Sequence, residues 1–269
     1  QPVEQVATAV DDLRGGGVAA INFDMMYGLP GQTCANVAAS MATALALAPD
    51  RVALFGYAHV PWMKKHQAVI RDSDLADVSG RWAQAEAAEA VLAAHGYVRI
   101  GMDHYARPGD PMTARLAEGT LHRNFQGYTD DPSSVLIGVG PSAISSLPYA
   151  YAQNRLRVDD WAADIAAGRL PVGRQLETTS DDRLRRTVIE RLMCDLQVDV
   201  GAVCLDHGRE VSTLDPAIAK ARALEPDGLC QVDGRTLRVP AEMARLVRVV
   251  AACFDNQSVI APKRHSAAI

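Results

Sequence analysis

The sequence predicts an α/β protein. Its first half is a run of parallel strands with crossover helices, and its last third is a mostly helical, winged-helix-like module. Three observations predict this. Short apolar runs alternate with Ala-rich stretches over the first hundred or so residues, in the order β, α, β, α, β; that order suits parallel strands joined by returning helices. The composition turns helical near Leu156. Finally, Asp233-Gly234 lies between two short apolar runs, a strong signal for a two-residue hairpin. On these signs the domains run 1–155 and 156–269.

The elements follow in order. Val6–Leu13 reads as part of an amphipathic helix, so the chain is expected to open inside a fold. Val18–Asp24 is a short apolar run ending in a carboxylate, and Tyr27–Thr33 is a turn cluster with Thr33 as helix cap. Ala35–Leu47 is helical by its alanines, and Arg51–Tyr57 is the next strand. Ala58–Trp62 is a loop, because Pro61 disfavours helix at Val60. Ser79–His95 is a helix and Tyr97–Met102 a third strand. From Asp103 to Asn154 polar, aromatic and glycine residues mix without a period, around one apolar strand at Ser134–Val139. A long irregular stretch in a compact domain is usually functional. Helices are expected at Asp159–Ala167, Ser180–Leu196, Pro216–Ala223 and Ala241–Phe254. Ser180 is read as the cap of the second, with Asp181 and Asp182 in its first turn.

Composition excludes several classes. Hydrophobic residues make up 48% and charged residues 22%, ordinary globular usage. Against 27 Lys and Arg stand 32 Asp and Glu, for a net charge of −5; a nucleic-acid binder needs a basic stripe instead. No apolar run approaches the roughly 20 residues of a membrane span, and Gln1–Val10 lacks the pattern of a signal peptide. The expectation is a cytoplasmic protein that binds neither nucleic acid nor membrane. The five cysteines, Cys34, Cys194, Cys204, Cys230 and Cys253, form no CxxC unit. They read as reduced structural thiols, with no local metal site among them.

Chemistry-bearing residues cluster where strands end. Asp24 sits where a strand gives way to a glycine loop, the edge at which parallel α/β folds hold ligands. A carboxylate there can accept from two ribose hydroxyls, cap a helix, or remain solvated. The Gly28–Gly31 loop lacks both phosphate-cradle patterns and reads as a tight turn. Ala58 is small enough for a flat ligand to approach its backbone. His59 suits a ligand, an acid/base group or a hydrogen-bonding loop residue, and Trp62 a core position. The pair Asp103-His104 follows the third strand and suits acid/base work or structural hydrogen bonds. No nucleophile elbow accompanies it. The densest polar segment is 121–129. There Arg123 can grip a carboxylate in bidentate fashion, Asn124 and Gln126 offer amides, and Phe125 and Tyr128 offer flat apolar surfaces. Such a mix suits an amphiphilic, multi-carboxylate, ring-shaped ligand; a solvated loop is the alternative.

Five segments also stand in a telling order: INFDMMYGLPGQT at 21–33, GYAHVPWMKKHQ at 56–67, IGMDHYARPGDPM at 100–112, LHRNFQGYT at 121–129 and GVGPSAIS at 138–145. LVRVVAACFD at 246–255 and RHSAAI at 264–269 close the series. Together they resemble the oxygen-independent coproporphyrinogen III oxidases (coproporphyrinogen dehydrogenases), radical S-adenosylmethionine enzymes of haem biosynthesis. The resemblance runs over essentially the whole chain.

The resemblance implies the C-terminal part of a partial (β/α)6 radical-SAM barrel followed by the winged-helix-like domain. Val18–Asp24 and Arg51–Tyr57 would be the last two barrel strands. Two molecules of S-adenosylmethionine are implied. Asp24 would hold the ribose of one, with Ala58 touching the same molecule through its backbone; Gln126 and Ile144 would contact the other. Arg123 and Asn124 are the candidate substrate contacts, and no catalytic residue is assigned. The implied reaction removes two propionate carboxyls of coproporphyrinogen III as CO2, leaving the vinyl groups of protoporphyrinogen IX. A 4Fe-4S cluster fed by an electron donor would supply the reducing electron. The family holds that cluster in a CxxxCxxC motif, which is absent here. The expectation is therefore a C-terminal portion, monomeric, with no cluster ligands of its own and no radical activity alone. Two rivals are a haem chaperone of the same superfamily, which shares the YGLPGQT turn, and an inactive ligand-binding remnant. Haem binding without decarboxylation would favour the chaperone.

Overall fold

The computed structural model describes residues 2–256. The RHSAAI segment lies outside them. The described residues form two compact units: 2–119 with 240–249 and 256, and 120–239 with 250–255. The expected domain seam at 155/156 falls inside the second. No described helix is long and apolar enough to cross a membrane.

In the first unit, helix α1 (Val3–Gly15) leads to strand β1 (Asn22–Tyr27), helix α2 (Cys34–Ala46) and strand β2 (Arg51–Gly56). Helix α3 (Val78–Ala94), strands β3 (Val98–Ile100) and β4 (His104–Ala106) and helix α4 (Pro111–Ala117) follow. The α2 start is as expected. The Thr33 hydroxyl accepts from the Asn36 N–H, and the Asn36 side chain returns the bond to the Thr33 N–H, satisfying donors a helix start leaves open.

β1 differs from expectation. Residues 18–20 are exposed, and the strand begins only where Asn22 pairs with Arg51. Asp24 is thus in the middle of the strand, not at its end. The apolar Val18–Ile21 runs directly into the alternating Asn22-Phe23-Asp24-Met25, so the sequence reads as one strand. In the folded strand Phe23, Met25 and Tyr27 alternate with the exposed Asn22, Asp24 and Met26, the two-residue period of a sheet with one covered face.

β1 and β2 are parallel, and the sheet order is β1-β2-β4-β3. β4 is antiparallel to both β2 and β3, so β3 runs in the direction of β2 without touching it. The expected third strand, Tyr97–Met102, is cut at Gly101, whose φ of 59° turns the chain back into an unforeseen hairpin. α2 and α3 cover one face of the sheet. Met41 and Leu45 of α2, Leu92 and Ala88 of α3, and Val52 and Leu54 of β2 form its core with Tyr27 and Tyr105. Burying each such Val or Leu side chain contributes ~1.5–3 kcal/mol. At the sheet edge Glu89 accepts from Arg99, Arg245 and the Tyr105 hydroxyl. Burial pushes the Tyr105 phenol up to about 12.

The second unit opens with a hairpin, β5 (His122–Asn124) and β6 (Gly127–Thr129). Next come β7 (Ile144–Leu147), β8 (Ala150–Asn154), helix α5 (Val158–Ala166) and β9 (Val172–Glu177). β7, β8 and β9 form an antiparallel sheet that the sequence did not reveal. The expected strand at 134–139 is irregular chain with a single bridge, Leu136 to Ser146. Its apolar residues Val135, Ile137 and Val139 are exposed, so no sheet face rewards them.

The winged-helix-like module then runs α6 (Ser180–Asp195), β10 (Gln197–Asp199), α7 (Val200–Asp206), α8 (Asp215–Arg222), β11 (Gln231–Asp233) and β12 (Thr236–Arg238). Its sheet order is β10-β12-β11. The hairpin loop is Gly234-Arg235, since Asp233 pairs with Thr236; Gly234 takes φ 57°. The α6 cap is Thr179, one residue before the expected Ser180, in a reciprocal pair with Asp182. Leu184, Val188 and Leu192 on the buried face of α6 have no exposed surface, and their spacing is that of one helix side. The expected helix over 241–254 is broken into a 3-10 turn at Ala241–Leu246, a short helix α9 at Val247–Ala251 and a second 3-10 turn at Ala252–Phe254.

Candidate cofactor and substrate sites

The face of the first unit's sheet opposite Val52 and Leu54 carries one row of aligned residues. Asp24 of β1 pairs with Ala53 of β2, and Ala53 pairs with His104 of β4. Paired residues on neighbouring strands project from the same face, so Asp24 and His104 stand two strand spacings apart, roughly 9–10 Å, on either side of a methyl group. One Asp24 oxygen accepts from the Asn22 amide at 2.8 Å. The other has no partner among the described residues, as a carboxylate that receives a second donor requires.

His104 lies within β4 rather than beyond a strand end, and its Nδ1 is 2.7 Å from an Asp103 oxygen. Its ring meets Phe55 edge-on at 5.9 Å. Ala53, between Asp24 and His104, is buried, so the row is open to solvent at Asp24.

Two polar side chains of α3 fix the strand ends beside this row. Gln84 accepts from the Gly28 N–H at 2.9 Å and donates to the Gln32 carbonyl at 2.6 Å. Arg81 donates to the Tyr57 carbonyl at 2.8 Å. Both are buried. Gly28 has φ 81°, and a Cβ there would meet the Arg81 Nε at 3.3 Å, so this glycine is required by backbone and by space. Sequence reasoning missed Arg81 and Gln84. Their signal is two long polar residues on the buried stripe 81, 84, 85, 88, 92 of an Ala-rich helix.

Ala58 is exposed in the loop after β2. Gln67 spans that loop, donating to the Ala58 carbonyl at 3.2 Å and accepting from the Val60 N–H at 2.6 Å. The Ala58 N–H has no partner among the described residues, so its backbone can still bind a ligand. His59 instead faces Asp72, Nε2 to Oδ1 at 3.4 Å. Trp62 is 42% exposed and is not a core residue.

The second unit holds the other candidates. Gln126 is exposed in the β5–β6 turn, its N–H donating to the Asn124 side chain at 2.8 Å. Ile144 is half-buried at the start of β7, opposite Gln153. Gly138 lies so close that a Cβ there would meet the Ile144 backbone at 2.8–2.9 Å.

Arg123 and Asn124 help line a cavity of about 610 Å3 within this unit, a size typical of small-molecule pockets. Phe125 lines it too and meets Tyr151 edge-on at 5.3 Å. Glu190 of α6 accepts from the Arg123 N–H at 3.3 Å and lies 3.0 Å from the His122 Nδ1. Tyr128 is not an offered surface: it is buried, and its hydroxyl donates to the Met193 carbonyl at 2.9 Å.

An iron–sulfur cluster does not fit these residues. The five cysteines are all free, and no group of three His, Cys, Asp or Glu among the described residues could hold a metal. Burial pushes the Cys194 thiol up to about 12 and raises Cys204, Cys230 and Cys253 as well. Cluster ligands are thiolates, and a thiol with a raised pKa resists ionisation. S-adenosylmethionine fits better: Asp24 has an open oxygen for ribose, and Ala58 has an open backbone donor.

Comparison with known proteins adds the class. The fold matches a solved structure, the radical SAM enzyme coproporphyrinogen III oxidase (HemN) from Escherichia coli, with a TM-score of 0.89 and 33% identity, covering 96% of this chain and 59% of the other. Residues 178–242 match the HemN C-terminal domain family model. The chain is homologous to the oxygen-independent coproporphyrinogen III oxidases. It is 45% identical to one from Bradyrhizobium diazoefficiens over 269 residues, all of this chain and 60% of that protein. The relative from Paracoccus denitrificans is 42% identical over 269 residues, 100% of this chain and 59% of that protein. The chain thus spans about three fifths of the length of these relatives.

Proposed function

We propose that this chain is the part of an oxygen-independent coproporphyrinogen III oxidase that binds S-adenosylmethionine and holds the porphyrinogen. The observation that carries the reading is the exposed Asp24 carboxylate on β1, with one oxygen tied to Asn22 and the other open. In this reading Asp24 receives ribose hydroxyls and the Ala58 backbone contacts the same molecule. Gln126 and Ile144 contact a second S-adenosylmethionine, and Arg123 and Asn124 contact the substrate. When bound and reduced through a 4Fe-4S cluster, S-adenosylmethionine supplies the radical that abstracts hydrogen. The cluster's ligands are not in this chain. The residues here bind and orient. Arg123 is a bidentate donor suited to a propionate carboxylate, and the aromatic wall of Phe125 and Tyr151 suits a flat ring.

The reaction served is the oxidative decarboxylation of two propionates of coproporphyrinogen III. Each loses CO2, a hydrogen atom and one electron to become a vinyl group, giving protoporphyrinogen IX. An electron donor, a cytoplasmic setting and a monomeric state complete the reading.

Calorimetry tests it with S-adenosylhomocysteine, which keeps the ribose. The chain should bind it, and Asp24→Ala should weaken binding ~10-fold or more, the worth of hydrogen bonds to a charged acceptor. The unfolding free energy should stay within about 0.5 kcal/mol, because the side chain is exposed. Equal affinities would remove Asp24 from the site. Iron–sulfide reconstitution of the chain should leave no stable 4Fe-4S absorption band, and a stable band would sink the assignment of the ligands elsewhere.

A further inference from the structure

The cavity of the second unit contains a cation that the sequence did not single out. Arg186 comes from α6, more than sixty positions after Arg123, and both side chains line the same space. The Arg186 guanidinium lies 5.7 Å from the centre of the Tyr151 ring, and the Arg123 guanidinium 5.6 Å from that of Tyr128. Neither arginine ion-pairs with a carboxylate among the described residues. The Arg123 Nε is buried without a hydrogen-bond partner, a costly state for a charged group unless something arrives to satisfy it.

The two carboxylates on the cavity wall are already engaged. Glu190 takes His122 and the Arg123 N–H. Asp131 accepts from the Ser133 N–H at 2.9 Å within its own loop. Two guanidinium groups therefore keep donors for an incoming anion, while Phe125 and Tyr151 supply an aromatic wall between the polar groups. Arginine held against an aromatic face is preorganised, so less entropy is lost when it grips a planar carboxylate.

We propose that Arg186 is a carboxylate-recognition residue, and that this cavity is the subsite for one pyrrole ring with its propionate. The ring packs on Phe125 and Tyr151, and its carboxylate is received by Arg186 and Arg123. The inference rests on the proposed function in taking the ligand to be a tetracarboxylate tetrapyrrole. It goes beyond that reading by giving the discriminating role to a residue of the winged-helix-like module. α6 presents residues 186, 189, 190 and 193 to the cavity, the spacing of one helix face, so a single rigid element places the cation.

Fluorescence titration of the whole chain with coproporphyrin III, the stable oxidised form of the substrate ring, tests this. The tetramethyl ester of the same porphyrin is the uncharged control. Arg186→Gln should weaken coproporphyrin III binding ~10-fold or more. It should leave the ester, S-adenosylhomocysteine and the melting temperature unchanged. Arg186→Lys, which keeps the charge but loses the fork, should fall between. If Arg186→Gln binds coproporphyrin III as tightly as the parent chain, the inference is overturned and the functional reading survives. If the folded parent chain binds no coproporphyrin III, both fall.

Discussion

The first unit places its candidate residues by main chain. Asp24, Ala53 and His104 share a row because three strands share a register, and Ala58 offers a backbone group. The second unit places its candidates by side chains borne on one helix and a hairpin: Glu190 fixes Arg123 and His122, and Arg186 reaches the same cavity from a turn further back on α6. The difference suits two kinds of ligand. A cofactor that never varies can be read by strand register and open backbone donors. A ring carrying several equivalent carboxylates needs long cationic side chains, each with a neighbour that limits its freedom.

Core truncations should break this comparison most forcefully. Leu92 of α3 and Leu192 of α6 are both fully buried, and Leu92→Ala or Leu192→Ala should each cost ~2–5 kcal/mol in urea unfolding. Binding should then separate them. Under conditions where both variants remain folded, Leu192→Ala should weaken coproporphyrin III and spare the S-adenosylhomocysteine held at Asp24, and Leu92→Ala should do the reverse. A common loss of both ligands would show that the two sites are not independently built.

A smaller change sharpens the second half. Gly138→Ala sets a methyl against the Ile144 backbone at 2.8–2.9 Å, so β7 must shift. The expected cost is ~1–3 kcal/mol, as for other overpacked positions, read in the same urea titration. Stability equal to the parent chain would mean that the loop at 138 moves instead of the strand.

The smallest effect is a pH dependence. The hydrogen bonds from Arg169 and Arg155 hold the Asp164 carboxyl below the usual carboxylate range. Its folded value therefore lies below its unfolded one, near 3.9. The stabilisation is present above the unfolded value and is lost as pH falls through the folded one. Asp164→Asn should thus lower the melting temperature at pH 7, with the gap to the parent chain closing toward pH 3. A gap that stays constant would assign the effect to lost packing rather than to charge.

How much was legible follows from what each element shows to a reader of one dimension. The Thr33 cap and the helices around it were readable because caps and alanines act locally. The winged-helix-like end was readable because Gly234 and its flanking apolar runs state a hairpin within eight residues. β1 was misplaced by about four residues, since the apolar Val18–Ile21 leads straight into Asn22–Asp24 and only pairing with β2 shows that the strand starts at Asn22 and runs on to Tyr27. The sheet of β7, β8 and β9 was invisible because its strands bury little: five of the six β9 residues are exposed, so no period marks the strand.

The candidate residues divide in the same way. Arg123 and Asn124 could be picked from a dense polar segment. Arg186 could not, because it sits in a helix rich in arginine and acquires meaning only through the hairpin folded against it. Arg81 and Gln84 were hidden for a related reason: their partners are backbone atoms of strand ends 24 to 56 positions away.

If these residues supply cofactor and substrate binding, the cluster can be held by other residues of a longer chain. The most direct measurement replaces the matching segment of the Escherichia coli relative with this chain and follows protoporphyrinogen IX and 5′-deoxyadenosine under anaerobic, reducing conditions. A chimera with its cluster loaded should form both products, and Asp24→Ala should abolish both. A folded, cluster-loaded chimera that binds coproporphyrin III and forms neither product would contradict this division of roles.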